Sequence, residues 1–194
     1  HYQDGIISRL LLCAIGVQQV ASPFFTVNQT PRITIPEDCD VIFVADMFSS
    51  DYSGGAELTV DALIDSSPLS VFRLHSRDVT MELLESGFRK HWIFGNFAAL
   101  KQDLYPTIIS NLKYSIVECD YKFCSYRSPD KHFVATGLPC DCHHQMNGKM
   151  VSAFMYGSQS LWWMSEKQES LYHDLFPFLA ERNNVVLSSV FSAD

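Results

Sequence analysis

From residue 41 onward, the chain alternates short β-branched or aromatic runs with segments of helical periodicity. The apolar runs occupy residues 41–45, 70–74, 91–94, 114–117, 160–164 and 185–188. Between them, apolar residues recur every three or four positions, as at Leu104, Ile108 and Leu112, which gives each helix one apolar face. This alternation is typical of parallel strands joined by crossover helices. We therefore predict an α/β, three-layer domain with about six mostly parallel strands.

Length and charge limit what such a domain can bind. Of its 194 residues, 47% are hydrophobic, which suffices for one globular domain with a sizeable core. The formal net charge of -8 has the wrong sign for attracting nucleic acid or anionic lipid, so we expect no nucleic-acid partner. The longest apolar candidate, Leu10 to Val17, is broken off by Gln18 and is too short for a membrane span.

Residues 1–40 fall outside the alternation. Prolines in this segment suit an extended edge or surface arm, and an apolar helix face is formed by Ile6, Leu10, Ala14 and Val17. The segment loosely imitates a secretory signal peptide, but Asp4 stands where a basic region belongs. We therefore predict an N-terminal helix and extended arm over 1–40, one domain over 41–194, and a cytoplasmic protein with reduced thiols.

The turn after the first predicted strand contains two adjacent glycines, Gly54 and Gly55, and Glu57 follows them. Glycine lets backbone N–H groups approach a ligand closely, and a helix N-terminus favours a phosphate or another anion. The alternative is that the glycines only turn the chain, while Glu57 complements the helix dipole.

Several motifs along residues 41–192 together resemble one known family. Val-Ile-Phe-Val-Ala-Asp-Met-Phe, followed by Ser-Gly-Gly-Ala-Glu-Leu, is similar to the opening of the N-terminal Rossmann-like domain of retaining GT-B glycosyltransferases. The first βα loop of that family carries a Gly-Gly-Ala-Glu motif. The resemblance continues, in order, through residues 75–76, 95–97, 113–122, 127–129, 164–168 and 186–192. It implies that residues 41–194 form a Rossmann-like glycosyltransferase N-terminal domain.

In that family the N-terminal domain binds the acceptor, and a second Rossmann-like domain binds most of the nucleotide-sugar donor. The resemblance therefore implies the acceptor-side half of an enzyme that transfers a sugar to a glycan or another hydroxyl acceptor, with no cofactor required for the chemistry. Because the sequence stops where the second domain would begin, we expect activity to need a further domain or subunit. The alternative is a non-catalytic binding or assembly module of the same fold.

The end of the fourth predicted strand carries the candidate catalytic groups, Asp120 and Glu118. Carboxylates at the carboxyl ends of parallel strands project into the ligand crevice. Many members of the family carry a histidine where this chain has Cys119, so Asp120 is the better candidate. The resemblance assigns donor binding to Gly54, Gly55 and Glu57, and acceptor binding to Lys122, Arg127 and Asn96. The alternative is that Glu118 and Asp120 are solvated loop carboxylates paired with Lys122 or Arg127.

Residues 121–149 show little periodicity and are rich in thiol and imidazole groups. A structural zinc ion would hold down a loop that lacks its own core. The expected ligands are Cys124, Cys140, Cys142 and either His143 or His144, with Cys119 and His132 nearby in sequence. The Cys-x-Cys spacing is unusual for zinc, so reduced thiols without a metal are the favoured alternative, and a disulfide is the least favoured.

Overall fold

The computed structural model describes residues 32–187, and its helices and strands lie in a compact unit that begins at Thr34. The helix predicted within residues 1–40 and most of the predicted arm lie outside the described residues. The remainder of that arm, residues 32–40, contains no helix or strand.

Six strands form one sheet within the described part of the chain. They are β1 Val41–Ala45, β2 Val71–His75, β3 His91–Phe94, β4 Lys113–Glu118, β5 Ser160–Trp163 and β6 Asn183–Val186. Their order is β2-β1-β3-β4-β5-β6, and every neighbouring pair is parallel. The prediction of a Rossmann-like α/β domain with about six mostly parallel strands is therefore confirmed.

The α-helices of residues 32–187 are α1 Gly55–Asp65, α2 Met81–Ser86, α3 Tyr105–Asn111, α4 Pro129–Thr136, α5 Met146–Tyr156 and α6 Glu166–Leu175. Short 3-10 turns cover Ser76–Asp78, Gln102–Leu104, Cys142–His144 and Pro177–Glu181. Helix α6 begins as its sequence predicts, because the Ser165 hydroxyl accepts the Gln168 N–H at 3.2 Å and the Gln168 side chain accepts the Met164 N–H at 2.9 Å.

Helices cover both faces of the sheet. Successive residues of β1 point to opposite sides, so that Ile42 belongs to one hydrophobic cluster and Phe43 to the other. Helices α2, α3, α5 and α6 contribute residues to the larger cluster, whereas α1 packs on the smaller one through Val60. Continuous apolar strands between two helix layers are what a buried parallel sheet requires.

The strand order reverses at β1, because β2 lies on one side of it and β3 on the other. In open parallel sheets, ligands bind outside the carboxyl ends of the strands at such a reversal. Asp46 follows β1 there, and its carboxylate accepts the backbone N–H groups of Ala98 at 3.0 Å and Ala99 at 2.9 Å, as well as the Ser76 hydroxyl. Asp46 therefore ties together the segments that follow β1, β2 and β3.

Candidate ligand site and metal centre

Five of the predicted site residues form one polar network at the carboxyl ends of β3 and β4. Lys122 Nζ donates to Glu118 Oε1 at 3.1 Å and to Asp120 Oδ1 at 3.2 Å. Arg127 Nε donates to Asp120 Oδ2 at 2.7 Å, and Arg127 Nη2 contacts the same oxygen and donates to Asn96 Oδ1 at 2.5 Å. The network thus joins the predicted catalytic pair to the predicted acceptor-binding residues.

Burial and neighbouring charges shift the pKa values of the two carboxyl groups in this network. The side chains of Glu118 and Lys122 are only 1% and 3% exposed, so Glu118 is not a solvated carboxylate. The Asp120 side chain is 28% exposed, and both carboxyl groups are paired with the cations that the alternative interpretation named. Burial raises the pKa of Glu118 to about 8, and Lys122 opposes this shift only in part. Burial also acts to raise the pKa of Asp120, but Lys122 and Arg127 outweigh it and bring that pKa below its usual value. Asp120 is therefore the more acidic of the two carboxyl groups and is ionised at neutral pH, whereas burial favours the neutral form of Glu118.

Lys122 keeps its charge although it is buried. Burial acts to lower its pKa, but the Glu118 and Asp120 carboxyl groups outweigh that effect and raise it. Its ammonium group also lies 4.8 Å from the centre of the Phe97 ring, a favourable cation–π distance.

Arg127 reaches the network from an unusual backbone conformation. Its φ of 59° is the one positive value among the non-glycine residues that the structure describes. The turn is closed by the Arg127 N–H to Cys124 O at 2.9 Å and by the Tyr121 N–H to Arg127 O at 3.3 Å. Such a conformation costs about 1–3 kcal/mol and persists where its surroundings hold it, frequently at ligand sites. Here its ion pair with Asp120 and its bond to Asn96 hold it.

A cavity of about 480 Å³, which we call the edge cavity, adjoins this network. It is lined by the segments that follow β3 and β4, by the start of α3, and by α5 with the turn before it. Its lining residues are Phe97, Ala98, Gln102, Tyr105, Lys122, Phe123, Cys124, Ser125, Arg127, Cys142, Gln145, Asn147 and Val151. Sequence reasoning missed the contributions of Gln102, Gln145 and Asn147, because helix packing rather than any local motif brings them to this edge.

The predicted donor-binding residues do not join the network. Gly54 caps α1, Gly55 is its first residue, and neither these glycines nor Glu57 lines the edge cavity. A Cβ on Gly54 would lie 2.4 Å from Glu57 Oε2, whereas a Cβ on Gly55 would meet no atom within 4 Å. The φ of Gly55 also lies outside the left-handed region, so a side chain there would not strain the backbone.

Four metal-binding side chains converge beside the edge cavity: Cys124, His132, Cys140 and Cys142. Their ligand atoms all lie within 4.8 Å of one another. His132 Nδ1 is 3.4 Å from Cys142 Sγ and 3.8 Å from Cys124 Sγ. Zinc bonds of about 2.3 Å to sulfur and about 2.0–2.1 Å to nitrogen place tetrahedral donor atoms roughly 3.6–3.8 Å apart. The cluster therefore has the donor set and spacing to bind a metal ion.

The histidine of this cluster is His132, so the expectation of His143 or His144 is wrong. His132 is the buried residue of α4, which begins at the Ser128 cap and otherwise faces outward. His143 and His144 follow Cys142 in a 3-10 turn, where successive side chains point about 120° apart, so they cannot share the direction of Cys142. Their rings instead contact each other, with centres 3.8 Å apart.

Two thiols of this cluster, those of Cys142 and Cys140, have pKa values shifted in opposite directions. Although burial acts in the opposite direction, Ser125 and hydrogen bonds from Cys140 and His132 lower the pKa of Cys142 to about 7. Burial, with hydrogen bonds to Cys124 and Cys142, raises the pKa of Cys140 to about 12. Because the thiolate is the metal-binding form of cysteine, Cys142 reaches that form more readily than Cys140.

In comparison with known proteins, no family model, no curated protein and no solved structure matched the chain. No helix within residues 32–187 is long and apolar enough to cross a membrane. The fold and the site therefore define a Rossmann-like α/β domain with a buried ion-pair network, an adjoining cavity and a set of four metal-binding side chains.

Proposed function

We propose that the chain is the acceptor-side domain of a GT-B-type glycosyltransferase, which transfers a sugar from a nucleotide-sugar donor to a hydroxyl acceptor. The observation that carries the proposal is the ionised Asp120, held between Lys122 and Arg127 at the carboxyl end of β4, next to the edge cavity. The order of the glycosyltransferase-like motifs along residues 41–192 supports it.

In this proposal, Asp120 acts on the reacting sugar. Glycosyl transfer passes through an oxocarbenium-like transition state, and an ionised carboxylate close to it stabilises the developing positive charge. The Asp120 side chain is 28% exposed, so a ligand can reach it. Glu118 is a positioning residue, because its buried carboxyl group holds Lys122 and accepts the Asp120 N–H at 3.1 Å.

The start of α1 is the proposed contact with the donor's phosphate. Gly54 supplies no side-chain hydrogen bond to the first turn of α1, so the backbone N–H groups there are not capped by a side chain. Such a helix N-terminus attracts an anion. Glu57 lies close enough to the end of β4 for its charge to contribute to the raised pKa of Cys119.

We also propose that zinc occupies the cluster of Cys124, His132, Cys140 and Cys142 as a structural ion. All four positions of a tetrahedral site would be filled by protein ligands, which is typical of structural rather than catalytic zinc. Seven residues separate Cys124 from His132, and seven separate His132 from Cys140, so the ion would tie α4 to both neighbouring turns. It would stabilise the segment that carries Lys122 and Arg127.

The second candidate is a non-catalytic, zinc-stabilised binding or assembly module. Cys119 favours it, because burial raises the pKa of this thiol to about 11 and leaves it unable to exchange protons at neutral pH. A histidine at the same position would be able to do so.

Turnover of nucleotide sugars separates the two candidates. The product of the full natural reading frame is expected to release nucleoside diphosphate from a nucleotide sugar when an acceptor is present, while the purified 194-residue chain alone is not. Turnover by the chain alone would refute the need for a second domain. No turnover by the full product would favour the binding module.

A further inference from the structure

The edge cavity has an unusual charge for this protein. The chain carries a formal net charge of -8, yet Lys122 and Arg127 line the cavity and no Asp or Glu does. Its volume of about 480 Å³ falls within the range of roughly 300–1,000 Å³ that is common for small-molecule sites.

Both cations keep donors for a further anion. Arg127 uses Nε and Nη2 for Asp120 and Asn96, whereas its Nη1 makes no hydrogen bond to any described residue. The Arg127 side chain is 31% exposed, so its guanidinium group can meet a ligand. Lys122 Nζ carries three N–H groups and donates to two carboxyl groups, Glu118 and Asp120. An anion can therefore bind without displacing Asp120.

The charge balance of the network favours such an anion. Two cations, Lys122 and Arg127, contact the ionised Asp120, and burial shifts Glu118, the other carboxyl group of the network, toward its neutral form. The network therefore leaves positive charge beside the cavity. Planar guanidinium groups bind carboxylate and phosphate oxygens well, because several N–H donors point in fixed directions.

Two neutral amide side chains, Gln102 and Gln145, also line the cavity. Gln102 donates its amide N–H to Asn147 Oδ1 at 2.7 Å, and Gln145 donates to Asp141 Oδ2 at 3.3 Å. Within the described residues, the Oε1 atoms of both glutamines accept no hydrogen bond, so they remain acceptors for ligand hydroxyl groups. Apolar surface comes from Phe97, Tyr105 and Val151.

We infer that the edge cavity binds a hydroxyl-bearing small molecule with one anionic group, a phosphate or a carboxylate. Arg127 and Lys122 bind the anionic group, and Gln102 and Gln145 bind hydroxyl groups. This inference rests on the proposed function, since it names the chemical class of the acceptor.

Calorimetric titration of the 194-residue chain with glucose 6-phosphate, glucuronate, glucose and inorganic phosphate tests this inference. We expect at least one of the two anionic sugars to bind ten or more times tighter than glucose, and added salt to weaken that binding. Arg127→Gln is expected to remove the tenfold preference. Arg77→Gln, at an arginine with a 63% exposed side chain outside the cavity, is expected to preserve it.

A second variant tests the hydroxyl contacts independently of the fold at Arg127. Gln102→Ala changes an exposed side chain and is expected to weaken binding of the anionic sugar several-fold, with no change in binding of inorganic phosphate. Three results would overturn the inference. They are equal affinity for glucose and both anionic sugars, no binding of either anionic sugar, and full binding of an anionic sugar by Arg127→Gln.

The outcomes separate this inference from the proposed function. Sugar transfer to a neutral acceptor, without binding of either anionic sugar, would refute the inference and leave the proposed function standing. Binding that depends on Arg127, without any sugar transfer by the full natural product, would refute the function and support the inference.

Discussion

Replacing His132 by glutamine is expected to remove the zinc-dependent part of the protein's stability. An ion that binds the folded chain and not the unfolded chain stabilises it by about 2.7 kcal/mol at a free concentration of 100 times Kd. For a chain of this size, each kcal/mol changes the melting temperature by about 2–4 °C. Zinc is therefore expected to raise the melting temperature of the parent protein by about 5–11 °C.

The stabilising effect of zinc is expected mainly around α4. Between the end of β4 and the start of α5 there is no strand, and α4 buries only His132 of its own residues. Without the ion, α4 has little buried apolar surface of its own to hold it, so trypsin is expected to cut at the exposed Lys131 much faster after metal removal.

The assay combines elemental analysis with thermal melts in the presence and absence of zinc. The parent and the matched control His144→Gln are expected to hold one zinc per chain and to show the full shift, whereas His132→Gln shows neither. The reasoning is refuted if His132→Gln retains the ion and the shift, or if the parent, purified without chelator, contains no metal.

Two further predictions concern stability. The pKa of Glu118 is raised from 4.5 to about 8 in the folded chain, so between these pH values the unfolded chain binds fewer protons than the folded chain. The free energy of unfolding therefore falls as the pH rises from 4.5 to about 8. Urea unfolding should show a smaller fall for Glu118→Gln than for the parent protein, and an equal fall in both would contradict this. Gly148→Ala should lower the free energy of unfolding by about 1–3 kcal/mol, because its Cβ would lie 2.3 Å from the Cys142 carbonyl oxygen. The control Gly55→Ala should leave the free energy of unfolding unchanged or higher. Equal effects of the two variants in urea unfolding would count against close packing of α5 on the Cys142 turn.

The strands could be predicted from the sequence because their apolar runs are continuous, as a sheet buried on both faces requires. The boundaries were less accurate where polar residues begin a strand. β6 starts at Asn183, whereas the apolar pattern predicted a start at residue 185. Asn184 fits in the strand because its side chain accepts the Trp163 indole N–H at 2.8 Å and donates to Leu179 O at 3.0 Å. Strand propensity does not include such tertiary hydrogen bonds.

The candidate site was predictable only where chain connectivity determines it. Asn96 and Asp120 follow neighbouring parallel strands, so their proximity follows from the fold. The position of His132 depends on how α4 packs, and no local pattern reports that packing. The positive φ of Arg127 also could not be predicted from the sequence, because it is imposed by the turn and by contacts with residues distant in sequence.

The rate of sugar transfer by the Asp120→Asn variant of the full natural product tests the central claim most directly. Asparagine keeps the shape of the side chain and removes the charge that Lys122 and Arg127 hold in place. We predict a fall in kcat of about a hundredfold or more at a temperature where the variant is folded, while Asp174→Asn, on the exposed surface of α6, keeps the parent rate. A parent rate in Asp120→Asn, or no transfer by the parent, would contradict the account.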